Sequence, residues 1–442
     1  MADDESRRQS RHKAVPRGRV SRLTGMARLA SGVAGGMLAE GTRRLRQGKP
    51  LTVQDMLLTP ANARRVTEEL ARLRGAAMKV GQLLSMDAGD VLPPELADIL
   101  ARLRQDAHYM PVKQLVRVLA ANYGSDWEDR FYRFEMKPVA AASIGQVHEV
   151  ISATGKRLAL KVQYPGVKQS IDSDVDNVAT LLRMTGLLPT GIDIKTILAE
   201  GKEQLHREAD YLREADYLRR YGEWLAGSEH FMVPAVDDEL TTAEILAMTF
   251  MPGEPIEKLV DETQAVRDRV VAELLELLFR EIFEFRLVQT DPNFANYRYE
   301  PRSARLVLLD FGACREYSPR FARGYRAFFA AAVSGDRKAM YKAAHGLGYF
   351  SDTISAAQVD LVLDVFMLAT EPMRHAGPYD FVREDLLRRI REAGLRMSLD
   401  KGLWHTPPTE ALLLHRKLGG LLMLATRLRS QVDVQRLLLP YL

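Results

Sequence analysis

Gln289-Thr-Asp291-Pro-Asn-Phe-Ala-Asn296 is followed, after a short interval, by Leu306-Val-Leu-Leu-Asp310-Phe-Gly312. An aspartate with an asparagine five residues on, then a second aspartate closing an apolar strand-like run, supplies hard oxygen donors. Mg²⁺ requires such donors and commonly takes only one or two from protein, while phosphates and water complete its shell. The spacing fits a catalytic loop that positions a nucleophile at Asp291, with Asn296 and Asp310 as metal ligands, as in nucleotide-dependent phosphoryl transfer. A chance turn explains either motif alone. It does not explain both in order.

Working outward toward the N-terminus, the remaining parts of such a site occur in sequence. Pro138-Val-Ala-Ala-Ala-Ser-Ile-Gly-Gln-Val147 precedes the strand-like Leu158-Ala-Leu-Lys161. In kinases a Gly-rich hairpin covers the phosphates and a lysine on a following strand neutralises them. Here Ala140, Ala142 and Gly145 take the glycine places, with Val147 at the expected step. The two Cβ atoms are expected to limit positive φ and alter nucleotide geometry. Next comes Glu208-Ala-Asp210-Tyr-Leu-Arg-Glu214, read as one helical stretch from which a carboxylate holds Lys161. Asp210 and Glu214, four apart, share a face, whereas Glu208 points elsewhere and needs a different partner. The last part, Lys79-Val-Gly-Gln82, is foreign to an ordinary kinase: Lys79 and Gln82 share a helix face around Gly81, with Glu208 or Asp210 as candidate partners. A packing turn, a surface lysine and a solvated acidic face are the plainer readings of each piece taken singly.

Composition narrows the class. The 442 residues are 46% hydrophobic, enough to bury a large core. A single cysteine, Cys314, excludes an intramolecular disulfide and any multi-cysteine metal site. The net charge of +4 is unevenly spread, because the first fifty residues hold twelve Lys and Arg against Asp3, Asp4, Glu5 and Glu40. Such an arm seeks an anionic surface, and its lack of interleaved aromatics favours membrane headgroups over nucleic acid. No apolar run reaches the ~20 residues of a spanning helix. The start does not read as a secretory signal, and Asp3, Asp4 and Glu5 count against a cleaved transit peptide, which is harder to exclude. The expected location is cytoplasmic, with the arm set for a membrane surface.

The organisation expected is a basic arm over 1–50 with a small-residue segment at Ala27–Ala39, a helical extension over 51–126, a mixed N-lobe over 127–253 and a helical C-lobe over 254–442. Within it, Val66, Leu70, Leu73, Ala77, Val80 and Leu84 mark an amphipathic helix between Pro60 and Met86. Strands are expected at 131–134, 144–151, 157–163 and 243–250, long helices over 175–187 and 195–225, and a boundary at Met251-Pro-Gly253. Beyond that boundary only two short non-helical segments, around 288–299 and 306–309, interrupt helix.

Together, Lys79-Val-Gly-Gln82, the alanine-rich loop, Glu208-Ala-Asp210, Asp291 with Asn296, and Asp310-Phe-Gly312 resemble the UbiB/AarF family, from about Val15 to Leu414-His-Arg-Lys-Leu-Gly-Gly420. Thr290-Asp-Pro-Asn-Phe-Ala-Asn296 looks more like its coenzyme Q branch and that branch's bacterial relatives. The resemblance implies an α+β, bilobal protein-kinase-like fold whose N-terminal helical extension covers the active site. It implies ATP or ADP with Mg²⁺ and a slow ATPase or atypical kinase supporting ubiquinone biosynthesis. Ala140, Ala141, Ala142, Ser143, Gly145 and Val147 would then line the nucleotide, Lys161 would meet its phosphates and pair with Glu214, and Asp310 and Asn296 would hold the metal. Asp291 would lie near the γ-phosphate, and Lys79, Gln82, Glu208 and Asp210 would form a regulatory cover. Anionic lipid, quinone-precursor lipids or the enzymes that make them are the partners implied, with a homodimer as a further candidate and no nucleic acid. Leu421–Leu442 departs from relatives that carry a C-terminal spanning helix, being interrupted by Arg427, Arg429, Asp433 and Arg436. Two rivals remain: a true protein or small-molecule kinase, although no Ala-Pro-Glu stop follows Gly312, and a non-catalytic ATP-binding lipid scaffold.

Overall fold

The computed structural model describes residues 42–43, 46, 73, 75–77, 79–81, 109–184, 194–350, 354–399 and 408–442. The basic arm's small-residue segment, Gln82 and most of the 60–86 helix lie outside the described residues. The chain divides into two compact units, one comprising residues up to Arg219 with Ala235–Phe250, the other Arg220–Pro234 with Met251–Leu442.

In the first unit, helix α1 (Val112–Tyr123) precedes an antiparallel sheet. Its strands are β1 (Phe131–Phe134), β2 (Ala140–Ala141), β3 (Gly145–Ser152), β4 (Arg157–Gln163) and β6 (Ile245–Thr249), ordered β1-β3-β4-β6 with β2 added to β3. β4 is central, and all its residues after Arg157 are buried. Leu160 and Val162 are fully enclosed with Leu115, Leu119, Trp127 and Ile245, a contribution of about 1.5–3 kcal/mol for each large side chain. Register sets Lys161 opposite Val147 on one side and Leu246 on the other. Helices α2 (Val167–Met184), α3 (Ile194–Glu208) and the start of α4 (Tyr211–Trp224) complete the unit.

One helix expected over 195–225 is therefore two. The break falls at Ala209–Asp210, where Asp210 Oδ1 accepts the Arg213 backbone N–H at 3.2 Å and so caps α4. An aspartate that satisfies an otherwise orphan N–H stabilises a new helix start. The apolar period runs through the break, so periodicity alone misses it.

In the second unit, β5 (Phe231–Met232), β10 (Arg305–Leu308), β9 (Tyr297–Glu300) and β7 (Glu254–Pro255) form a four-stranded sheet in that order. A separate ladder joins β8 (Leu287–Gln289) to β11 (Cys314–Glu316). The sheet is more extensive than the two non-helical segments expected there, because its strands are too short for alternation to register. Helix α5 (Gln264–Arg280) starts at Thr263, whose side chain accepts the Val266 N–H. Helix α6 (Pro319–Ser334) combines an N-cap Ser318, Pro319 in its first turn and Gly335 at φ 69° beyond its end. α7 (Arg337–Gly346), α8 (Ala356–Ala369), α9 (Glu371–Arg374), α10 (Leu386–Leu399) and α11 (Thr409–Arg427) follow. Among the described residues, no helix is long and apolar enough to cross a membrane.

Candidate active site

The alanine-rich segment is the turn of the β2–β3 hairpin: Ala140 pairs with Val147, Ala141 with Gln146, and the Ala142 N–H donates to the Gly145 carbonyl at 2.9 Å. Neither Ala140 nor Ala142 has positive φ, as two Cβ atoms there dictate; the hairpin turns without the left-handed region. Gly145 is required for a different reason. A Cβ there would lie 2.4 Å from the Val162 carbonyl oxygen and 3.0 Å from the Tyr211 hydroxyl.

Lys161 projects from β4 into a bidentate contact with Glu214, Nζ lying 2.9 Å from each carboxylate oxygen. The side chains are 8% and 0% exposed. The ammonium also lies 5.3 Å from the centre of the Tyr211 ring, a cation–π distance. Glu208, at the end of α3, faces another partner: it pairs with buried Lys79 and accepts the Ser143 hydroxyl at 2.5 Å. The short helix holding Lys79 touches the hairpin, since a Cβ on Gly75 would come within 2.5 Å of the Ser143 carbonyl oxygen. Asp210, grouped with the regulatory residues from sequence, contributes the α4 cap described above.

The second unit assembles the other three residues. β9 and β10 pair so that Leu308 meets Tyr297, and the Leu309 N–H donates to the Asn296 carbonyl at 3.0 Å. Asn296 and Asp310 are thereby set at one end of the same ladder. Asn296 Nδ2 donates to Asp291 Oδ2 at 3.1 Å, which turns its amide nitrogen toward the aspartate. Asp310 Oδ1 accepts the Gly312 N–H at 2.9 Å. The β8–β11 ladder binds the two segments again, Thr290 donating its hydroxyl to the Ala313 carbonyl at 2.7 Å. The donor types fit Mg²⁺, being a carboxylate and an amide oxygen. Among the described residues no group of three or more His, Cys, Asp and Glu side chains could hold a metal unaided.

Sequence reasoning assigned no role to Lys417. It is 3% exposed on α11 and donates to Gln289 Oε1 at 2.8 Å and to the Tyr297 hydroxyl. Burial works against its charge, but Tyr297 and Glu281 outweigh that and leave its pKa above the ordinary lysine value. Glu281 is itself buried and pushed up by desolvation, opposed by Lys417. The only trace in the sequence is the polar triplet His415-Arg-Lys417 inside an otherwise apolar helix.

Comparison with known proteins places this geometry. The ABC1 atypical kinase-like domain matches residues 102–344. The chain is 37% identical to "Atypical kinase coq-8, mitochondrial" of Caenorhabditis elegans over 96% of its own length and 57% of the relative's. It is 38% identical to "Atypical kinase COQ8B, mitochondrial" of Rattus norvegicus, with 96% and 80% covered, and 36% identical to "Atypical kinase COQ8, mitochondrial" of Saccharomyces cerevisiae, with 98% and 87% covered. A solved structure, the complex of Rv3197 with erythromycin from Mycobacterium tuberculosis, superposes with a TM-score of 0.56 at 24% identity, covering 83% of this chain and 92% of that one. That likeness establishes the kinase-like α+β fold. The chain belongs to the ABC1 atypical kinase-like family, with the COQ8 and UbiB proteins.

Proposed function

We propose that the protein is a Mg²⁺-dependent ATPase of the atypical kinase type that supports coenzyme Q biosynthesis at a membrane surface. The observation that carries the reading is the Leu309-to-Asn296 backbone bond, which joins the residue before Asp310 to Asn296, whose amide in turn bonds Asp291. Lys161, held in place by Glu214, would neutralise the phosphates. Asn296 and Asp310 would hold Mg²⁺, which when bound offsets the charge on the transferring phosphoryl group. Asp291 would orient the attacking water, its carboxylate being already aimed by Asn296.

Hydrolysis is favoured over phosphorylation of a protein because the helix bearing Lys79 is fastened to the nucleotide hairpin through Glu208 and Ser143. The segment after Gly312 also offers no long platform, since β11 leads through Ser318 directly into α6. Quinone-precursor lipids or the enzymes that make them would be the clients, and the basic first fifty residues would supply attraction to anionic headgroups, about 1 kcal/mol per Lys or Arg near the surface.

The test is ATP hydrolysis by purified protein with Mg²⁺, with and without anionic liposomes, for wild type and Asp310→Asn. Hydrolysis that rises on liposomes and vanishes in the variant supports the reading. Equal inactivity of both proteins, with nucleotide still bound by wild type, would favour an ATP-dependent scaffold instead.

A further inference from the structure

We propose that Lys417, with Gly420 one turn later on α11, is a positioning device that clamps the Asp291–Asn296 loop; the inference rests on the nucleotide reading above for its functional consequence. The loop is gripped at three places. The Lys417 ammonium bonds Gln289, two residues before Asp291, and Tyr297, the residue after Asn296, so one cation ties both ends. Gly420 meets the middle: a Cβ on it would lie 2.1 Å from Pro292 Cβ. Only the missing side chain lets the helix sit this close to the loop.

The network is poorly built for stability alone. Among the described residues, Gln289 Nε2 and Glu281 Oε2 are buried without hydrogen-bond partners, each a desolvation penalty. A buried charged network is often replaceable as a whole by packed apolar side chains without loss. What an apolar residue cannot do is bond a Gln and a Tyr eight residues apart in sequence and fix their separation. Tyr221 and the Gln289 backbone N–H converge on Glu281 Oε1, at 2.7 and 3.4 Å, extending the same frame behind β8. α11 is also anchored independently of the loop, through the Tyr317 hydroxyl on the Glu410 carbonyl and Tyr349 on His415. The helix is thus a fixed reference for the loop rather than a passenger on it.

The test uses the full chain with Lys417→Met and Gly420→Ala, the second leaving the ammonium in place and so remaining informative should the first fail to fold. Hydrogen–deuterium exchange is read on peptides covering 289–297, and Mg²⁺-dependent nucleotide affinity is read by calorimetry beside hydrolysis. The expected results are exchange about tenfold faster in that loop, unchanged exchange in β3 and β4, and a half-saturating Mg²⁺ concentration raised about ten- to a hundredfold, as for loss of a group that orients metal ligands. Loop exchange unchanged in both variants overturns the clamp. Faster exchange with an unaltered Mg²⁺ requirement overturns the positioning role and leaves a merely structural contact. A wild type that binds no nucleotide refutes the ATPase reading, while the exchange result still decides the clamp.

Discussion

Lys161→Met is the sharpest perturbation of the first unit. It removes an ammonium that bonds both oxygens of a carboxylate whose side chain is fully buried. Taking one partner from such a pair costs about 3–5 kcal/mol, since the remaining charge keeps its desolvation penalty and loses its counterion. Glu214→Gln should cost less, about 1.5–3 kcal/mol, because the amide oxygen still accepts one bond from Lys161. Replacing both, as Lys161→Met with Glu214→Leu, should recover much of the loss, because neither charge of the pair is then left buried. Urea unfolding of the four proteins gives the cycle, with stability changes taken from the transition midpoints at constant slope. A calorimetric titration with ATP separates function from folding: the double variant should be folded and unable to bind. Single variants that each cost under about 1 kcal/mol, the range of an exposed pair, would show that the contact is solvated and the reasoning wrong. A double variant as unstable as the sum of the singles would refute the coupling.

Three further outcomes are expected. Asp310→Asn should abolish Mg²⁺-dependent nucleotide affinity while leaving the melting temperature of the free protein near that of wild type; retained affinity in calorimetry counts against the metal assignment. Gly145→Ala forces a Cβ against the Val162 carbonyl, a backbone atom that cannot swing away, and should lower stability by about 1–3 kcal/mol with loss of nucleotide binding. His415 is held neutral by burial, its pKa brought down to about 4 from 6.5, with the Tyr349 hydroxyl 2.7 Å from Nε2. Because the unfolded chain takes up this proton first, stability is complete above about pH 6.5 and falls toward pH 4, by up to about 3 kcal/mol. His415→Phe should flatten that part of the pH–stability curve; an unchanged slope between pH 4 and 6.5 would exclude the imidazole as its source.

Four strands of the first unit are legible in the sequence because each is four residues or longer and rich in β-branched, aromatic or aliphatic residues, whereas the two exposed residues of β2 give no such signal. Phe131–Phe134 and Arg157–Gln163 coincide with the runs read from composition. The separate partners of the acid residues near Lys161 are legible, Glu208 taking Lys79 and Glu214 taking Lys161, although they lie on two helices and not on the single one that the six-residue offset assumes. The alanines of the hairpin are legible in backbone terms, since their Cβ atoms disfavour positive φ and neither Ala140 nor Ala142 adopts it. Asp210 misleads. Its capping role arises only once the backbone has broken, and an aspartate within a continuous amphipathic period gives no warning of that. Lys417 is illegible in principle from local pattern, because the residues it serves lie more than a hundred positions earlier.

The way the two halves of the chemistry are held suggests where control resides. In the second unit the loop from Thr290 to Asn296 is bonded to Ala313, to Leu309 and, through its flanking residues, to Lys417. The Asp310 segment runs without slack through β11, where Cys314 pairs with Gln289, into the Ser318 cap of α6. An element so closely bonded at both ends has few alternative arrangements of similar energy, and a switch requires at least two. The first unit differs: Glu208 accepts from both Lys79 and Ser143, so one carboxylate ties a helix to the hairpin turn. Ser143 lies in the hairpin turn, so a ligand that drew its hydroxyl away would weaken the hold on the Lys79 helix. Regulation of the activity proposed above would therefore act through Glu208, and Glu208→Gln should alter nucleotide exchange far more than it alters the bond geometry of Asp291, Asn296 and Asp310.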